Sequence, residues 1–270
     1  MNADIYIVGL GIANIDDVTK RAERVISQSN EVLYADTGVA TQEYLESLCA
    51  KVTPLYHESY DEDNPRFNAY HHMAAKVIEA ALRHPPVTFA MHGHPLVFCY
   101  PPFLIRDMAT LLDLSVKVLP GVSAMASLFS DLWLDPGVTG IQMFEATDMM
   151  ARRRPLMPDV PALIWQIGNL ETRLHTMRVS RPERFGRFLA YLLHFYPPDH
   201  VVTALYSSPH PMMKSTIYTF PLNQIGQYAH ALHAGFTLFI PAASDRPIQD
   251  WDLVRKIDDA EHLRKITYGG

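Results

Sequence analysis

The chain repeats one unit that leaves few folds open to it. A short apolar or β-branched run is followed by a turn and then by apolar residues at helical spacing. The apolar runs are Ile5-Tyr6-Ile7-Val8, Glu31-Val32-Leu33-Tyr34-Ala35, residues 52–55, Val87-Thr88-Phe89-Ala90-Met91 and Ser115-Val116-Lys117-Val118-Leu119. Helical periodicity between them comes from Val18, Ala22, Val25 and Ile26, from residues 41–49, from Asn68, Tyr70, His71, Met73, Val77, Ile78, Ala81 and Leu82, and from residues 103–112. Alternating strands and helices of this kind predict a mainly parallel sheet with helices on its faces, an α/β fold.

In such sheets ligands collect at the carboxyl ends of the strands. The run from Val87 ends in Met91-His92-Gly93-His94-Pro95-Leu96-Val97-Phe98, with Gly93 and Pro95 two residues apart. Glycine admits a close ligand and proline fixes the turn. A plain strand and turn is an equal reading of this stretch by itself. The run from Ser115 leads into Pro120-Gly121-Val122-Ser123-Ala124. There a helix start either offers free N–H groups to a ligand or is simply capped by Ser123. The first run leads into Gly9-Leu10-Gly11, but Asn14 stands where a dinucleotide fingerprint needs its third glycine, which excludes a nicotinamide site. Asn14, Asp16 and Asp17 are the expected opening of the first helix.

The stretch from Tyr56 to Arg66 breaks the pattern. It is polar, acidic and aromatic, and reads as a loop with Pro65 near the start of a helix. Arg66 and Tyr70, four residues apart, share one face at that helix's start. A structural pairing is the more usual role for such residues. The second half repeats the theme less regularly, with strands expected over 142–146, 162–168, 201–206, 215–220 and 236–241, and a helix over 185–195. Arg152, Arg153 and Arg154 read as a solvated face, and the polar segment after Ala242 as a tail or short docking segment.

The formal net charge of -6 argues against a general affinity for nucleic acid or an anionic membrane. Two cysteines, Cys49 and Cys99, read as free buried thiols. The N-terminus shows no secretory pattern, and no apolar run of about 18 residues occurs, so a soluble cytoplasmic protein is expected. His92 and His94 flank Gly93, and His71 and His72 are adjacent on a helix, but neither pair has metal-ligand spacing, so no metal is expected.

A strand ending in Gly-His-Pro, a strand ending in Pro-Gly-Val-Ser-Ala, and an opening strand-Gly-x-Gly together resemble the tetrapyrrole methylase superfamily, over about residues 4–243. Further segments resemble its borosin-type peptide backbone α-N-methyltransferases: Gly93 to Phe98, Asp131-Leu132-Trp133-Leu134-Asp135-Pro136-Gly137, Phe144-Glu145-Ala146-Thr147-Asp148, Ile164-Trp165-Gln166-Ile167, Tyr196-Pro197-Pro198-Asp199-His200 and Ile240-Pro241-Ala242. The resemblance implies two α/β domains, over 1–119 and 120–243 with a tail over 244–270, and S-adenosylmethionine held between them and released as S-adenosylhomocysteine. It implies cofactor contacts from Gly93, His94, Pro95, Val97, Phe98, Ser123, Ala124, Gln166, Tyr206 and Thr237. It also implies a catalytic set of Tyr60, Arg66 and Tyr70, with Tyr56 and His57 as alternatives to Tyr60 because the loop is shorter here. No long apolar extension follows the second domain, so the implied substrate is a separate precursor peptide bound in trans. The implied assembly is a homodimer, or a heterotetramer with two precursor chains.

Two other readings compete. A tetrapyrrole methyltransferase would need a basic cleft for a large polyanion, whereas Glu58, Asp61, Glu62 and Asp63 make the loop acidic. A non-catalytic binding protein on the same fold would have no use for the Tyr60, Arg66 and Tyr70 set.

Overall fold

A computed structural model describes residues 3–38, 40–59, 61–176, 178–210 and 212–268. The chain forms two α/β domains, each built on a five-stranded sheet. The first contains β1 (Ile5–Gly9), β2 (Glu31–Ala35), β3 (Val52–Pro54), β4 (Val87–Met91) and β5 (Val116–Leu119), in the order β3-β2-β4-β1-β5. All its pairings are parallel. The second contains β6 (Gln142–Glu145), β7 (Ala162–Trp165), β8 (Val201–Tyr206), β9 (Thr216–Pro221) and β10 (Thr237–Ile240), in the order β6-β7-β10-β8-β9. Only β6 and β7 run parallel there; β10 lies antiparallel to β7 and β8, and β9 to β8.

The helices are α1 (Lys20–Ile26), α2 (Thr41–Leu48), α3 (Tyr56–Ser59), α4 (Arg66–Arg83), α5 (Pro101–Leu111), α6 (Ala124–Leu132), α7 (Pro136–Thr139), α8 (Ala146–Ala151), α9 (Gly186–Leu192), α10 (Trp251–Lys256) and α11 (Ala260–Ile266). β1, β2, β4 and β7 bury both faces, which is why they read as continuous apolar runs. On one face of the first sheet Ile5, Ile7, Leu33 and Phe89 pack against Met73, Val77 and Ile78 of α4 and Ile105 of α5. On the other, Tyr6, Val8, Val32 and Ala90 meet Ala22 and Ile26 of α1 and Leu45 of α2. Ile164, Ala204 and Leu238 of the second sheet pack on Phe188 and Leu192 of α9. Its other face puts Leu163, Trp165 and Leu205 against Leu128 of α6. Each such large apolar side chain contributes about 1.5–3 kcal/mol on burial.

Four local expectations change. The first helix begins at Lys20, capped by Thr19, whose hydroxyl accepts from the Ala22 N–H at 3.1 Å; residues Asn14–Asp17 form a 3-10 turn. Asp17 instead accepts from the Ile12 and Ala13 N–H groups, at 3.0 and 2.8 Å, and so holds the turn after β1. The expected loop after β3 opens with the helical turn α3. The strand expected over 162–168 stops at Trp165, because Gln166 takes a left-handed conformation with φ 59°. The polar tail folds into α10 and α11, with Trp251, Leu253, Ile257 and Leu263 exposed.

At the start of β2, buried Glu31 accepts from Lys51 Nζ at 2.6 Å and Thr53 Oγ1 at 2.9 Å. Burial pushes its carboxyl up, but Lys51, Thr53 and Arg83 outweigh that and hold it below the ordinary glutamate value of 4.5. A depressed carboxyl contributes stability above its unfolded value and loses it as pH falls through the folded one. Thermal melts from pH 7 to 3 should therefore show a steeper loss of Tm below about pH 4.5 in the native chain than in Glu31→Gln. Parallel curves would remove Glu31 from the account.

Candidate active site

The chain reverses its direction of winding between β1 and β4, and the crevice outside their carboxyl ends is the topological switch point of the sheet. Gly11 and Gly93 close this crevice with a mutual pair of backbone hydrogen bonds. The Gly93 N–H donates to Gly11 O at 2.8 Å, and the Gly11 N–H to Gly93 O at 3.3 Å. Gly93 has φ 68°, a conformation that disfavours any side chain. The end of β1 and the turn after β5 come equally close. A methyl group on Gly121 would lie 2.5 Å from Gly93 O and 2.7 Å from the Gly9 carbonyl carbon.

Across this crevice the ends of β7, β8 and β10 face the first domain, and a cleft of about 190 Å³ lies between. Of the residues implied as cofactor contacts, Gly93, His94, Val97, Phe98, Ser123, Ala124, Gln166, Tyr206 and Thr237 line it. Pro95 does not; it is buried behind the turn. Ser123 caps α6, its hydroxyl accepting from the Met125 N–H at 3.2 Å. Sequence reasoning missed Ile12, His92, Trp165 and Gly235, which also line the cleft. Phe98 and Trp165 meet across the domains with ring centroids 4.8 Å apart. The strand-end rule that picked Gly93 could have picked Trp165, the last residue of β7.

A second cavity of about 540 Å³ shares Ile12, His92, Tyr206 and Gly235 with the first. It is lined further by Asp36, Tyr56, Pro209, His210 and Met213. The segment carrying the last three is anchored by Asp131, whose Oδ2 accepts from Ser207 at 2.7 Å and Ser215 at 2.8 Å.

Tyr60 lies outside the described residues. Arg66 opens α4 and Tyr70 follows one turn later, with the Tyr70 ring 6.2 Å from that of Tyr100. Arg66 reaches into the second domain, where its Nη2 donates to Thr172 O at 3.0 Å and its N–H to Arg173 O at 2.9 Å. Tyr56 stands close enough to Tyr70 to feel it. Burial, and then Tyr70, push the Tyr56 phenol above its ordinary value. A neutral phenol of this kind is a hydrogen-bond donor first and a base second.

Glu62 and Asp63 of the adjoining loop are engaged. Arg178 donates to both carboxylate oxygens of Asp63, at 2.9 and 2.6 Å, and Thr176 donates to Glu62 at 2.6 Å. Their charge is spent on joining the two domains, which weakens its use against a polyanionic substrate. Cys99 donates weakly to Met91 Sδ at 3.7 Å, and burial pushes its thiol up to about 12, so it is an inert thiol. Among the described residues no group of three or more His, Cys, Asp or Glu could hold a metal ion, and no helix is long and apolar enough to cross a membrane.

A parallel sheet whose switch point faces a mixed sheet across an aromatic-lined cleft defines a two-domain α/β protein. The chain belongs to the tetrapyrrole (corrin/porphyrin) methylases, whose family model matches residues 4–206. Solved structures agree in fold. The methyltransferase CobJ aligns with a TM-score of 0.64 at 14% identity, over 93% of this chain and 98% of that one. The uroporphyrin-III C-methyl transferase of Thermus thermophilus, complexed with S-adenosylhomocysteine, aligns with a TM-score of 0.60 at 15% identity, over 87% of this chain and 96% of that one.

Within the family the chain is similar to borosin methyltransferases. It is 28% identical to the methyltransferase/type III borosin cyclic peptide precursor of Anomoporia bombycina, over 91% of this chain and 29% of that one. It is 27% identical to the gymnopeptides precursor methyltransferase of Gymnopus fusipes, over 94% and 60%. It is 26% identical to the omphalotin A precursor methyltransferase of Omphalotus olearius, over 94% and 61%. The chain thus spans less than two thirds of the length of these relatives. The family, the fold and the borosin likeness expected from the motifs are met.

Proposed function

We propose that the chain is an S-adenosylmethionine-dependent methyltransferase that methylates backbone amide nitrogens of a precursor peptide supplied in trans. The observation that carries this reading is that the two cavities adjoin, sharing Ile12, His92, Tyr206 and Gly235. The glycine-built cleft takes the donor, and the adjoining cavity beside Tyr56 takes the peptide. The cleft suits the donor on three counts. Gly93 leaves room for a ligand against the backbone, since a methyl group there would meet only Ile12, at 3.1 Å. The Phe98 and Trp165 pair offers aromatic faces to an adenine. Ser123 and Gln166 supply polar partners.

An amide nitrogen is a poor nucleophile because its lone pair is shared with the carbonyl. The donor supplies an electrophilic methyl carbon; the chain's own residues must make the nitrogen available. In this proposal Tyr60 takes or orients the amide proton, and Tyr56, as a neutral phenol, serves instead only to orient the amide. Tyr70 holds the carbonyl oxygen as negative charge develops on it. Arg66 adds positive charge beside the tyrosines and fixes the first turn of α4 against the second domain. A donor held by Gly93, Ser123 and Gln166 would supply the methyl group to that nitrogen and would leave as the neutral thioether. In-line placement of the donor's methyl carbon and the amide nitrogen would supply much of the rate.

The homodimer and the cytoplasmic location expected from the sequence belong to the same proposal, as does the division into 1–119, 120–243 and a tail. The reading is tested by giving the purified chain the donor with either a synthetic borosin-type precursor peptide or uroporphyrinogen III, and weighing both products. Methylation of the peptide is expected. Methylation of the tetrapyrrole alone selects the competing reading, and methylation of neither returns the chain to a binding role.

A further inference from the structure

Asp36 follows β2 directly, at the same carboxyl edge of the sheet as Gly93. Its side chain is only 7% exposed, yet it borders the second cavity. One of its oxygens accepts from the Gly38 N–H at 2.9 Å, and the other stands 3.7 Å from His92 Nδ1. His92 and Tyr206 border both cavities, and Asp36, which faces His92, borders the second. Burial pushes the Asp36 carboxyl up, but His92 and the Gly38 and Thr37 backbone outweigh it and hold the group ionised. Its charge reaches the cleft, since Tyr206 is pushed above its ordinary value by burial and then by Asp36.

We infer that Asp36 is a specificity-determining residue that favours the cationic methyl donor over its neutral product at the junction of the two cavities. The inference rests on the proposed function, because only there is the junction the place where sulfur sits. S-adenosylmethionine and S-adenosylhomocysteine differ in one methyl group and one positive charge on sulfur. A fixed carboxylate close to that sulfur, screened from water by burial, attracts the first and is indifferent to the second. Product that has lost its charge then leaves without competing strongly with fresh donor. A tightly held product would stall an enzyme that methylates one peptide several times.

The test is calorimetric titration of the native chain and of Asp36→Asn with S-adenosylmethionine, S-adenosylhomocysteine and an analogue bearing an amine in place of the sulfonium. Asparagine keeps the acceptor for the Gly38 N–H and removes the charge. The affinities of the two cationic ligands should fall about tenfold, while that for S-adenosylhomocysteine stays within about twofold. The analogue separates charge from the volume of the methyl group. Equal changes for all three ligands, or none, overturn the inference. Failure of the native chain to bind any of the three overturns the proposed function instead. If Asp36→Asn does not fold, His92→Lys sets a permanent cation against the carboxylate and should compress the same donor-to-product ratio. An unchanged ratio in that variant is equally fatal.

Discussion

Tyr70→Phe is expected to lower the rate of peptide methylation by about 10²–10³-fold while leaving donor affinity unchanged. The change removes one oxygen and keeps the ring that packs near Tyr100 and against the first core. Stability should therefore hold, and the loss should appear in kcat rather than KM, because the interaction matters most when the carbonyl oxygen becomes an oxyanion. Arg66→Lys should lose a similar factor for a different reason. Lysine keeps the charge but not the planar fork of donors. Its shorter, unforked head weakens the hold on Thr172 O that fixes the first turn of α4 against the second domain. Single-turnover rates with donor in excess, read beside thermal melts, separate the two roles. A stable Tyr70→Phe chain that methylates at the native rate would remove Tyr70 from the chemistry.

The second large effect is structural in origin. Gly121→Ala should abolish donor binding and destabilise the first domain by about 1–3 kcal/mol. The added methyl group would meet Gly93 O and the Gly9 carbonyl carbon, which are backbone atoms with no rotamer to yield. To relieve the contact the turn after β5 must move away from β1 and β4. Those three strand ends form the floor of the cleft, so the damage passes directly to the site. Titration with S-adenosylhomocysteine should show affinity weakened at least 100-fold, with a lowered Tm in the same sample. Unaltered affinity would mean that the donor does not rest on this floor.

Much of the fold was legible because the strands of a parallel sheet announce themselves as apolar runs. Their carboxyl ends then locate the site without any knowledge of packing. Gly93, Ser123 and Gln166 stand well apart in the sequence, yet each follows an apolar run, and the structure brings all three to one cleft. Applied evenly, the same rule would also have drawn attention to Asp36 and Trp165, the residues next to or at the ends of β2 and β7. His92 was visible only as a hint of metal, because its relation to Asp36 is made by neighbouring strands and not by sequence spacing.

Local capping was harder to read. Asp17 looks like a helix-opening residue, but the two N–H groups of the turn after β1 compete for its carboxylate and win. Only Thr19 is then left to cap α1. The acidic loop misled in another way. Composition shows charge but not its partner, and Arg178, more than 100 residues away, neutralises Asp63. Long-range pairing of this kind cannot be read from one chain's pattern.

The central claim is that the cleft delivers a methyl group to a peptide's backbone nitrogen. It is tested most directly by incubating the chain with donor and a synthetic borosin-type precursor peptide, then sequencing the product by tandem mass spectrometry. The account predicts gains of about 14 Da per methyl group, carried by backbone fragments and absent from side-chain losses. The same gains should disappear in Tyr70→Phe. Methyl groups found only on side chains, or on a tetrapyrrole with the peptide unchanged, would contradict it.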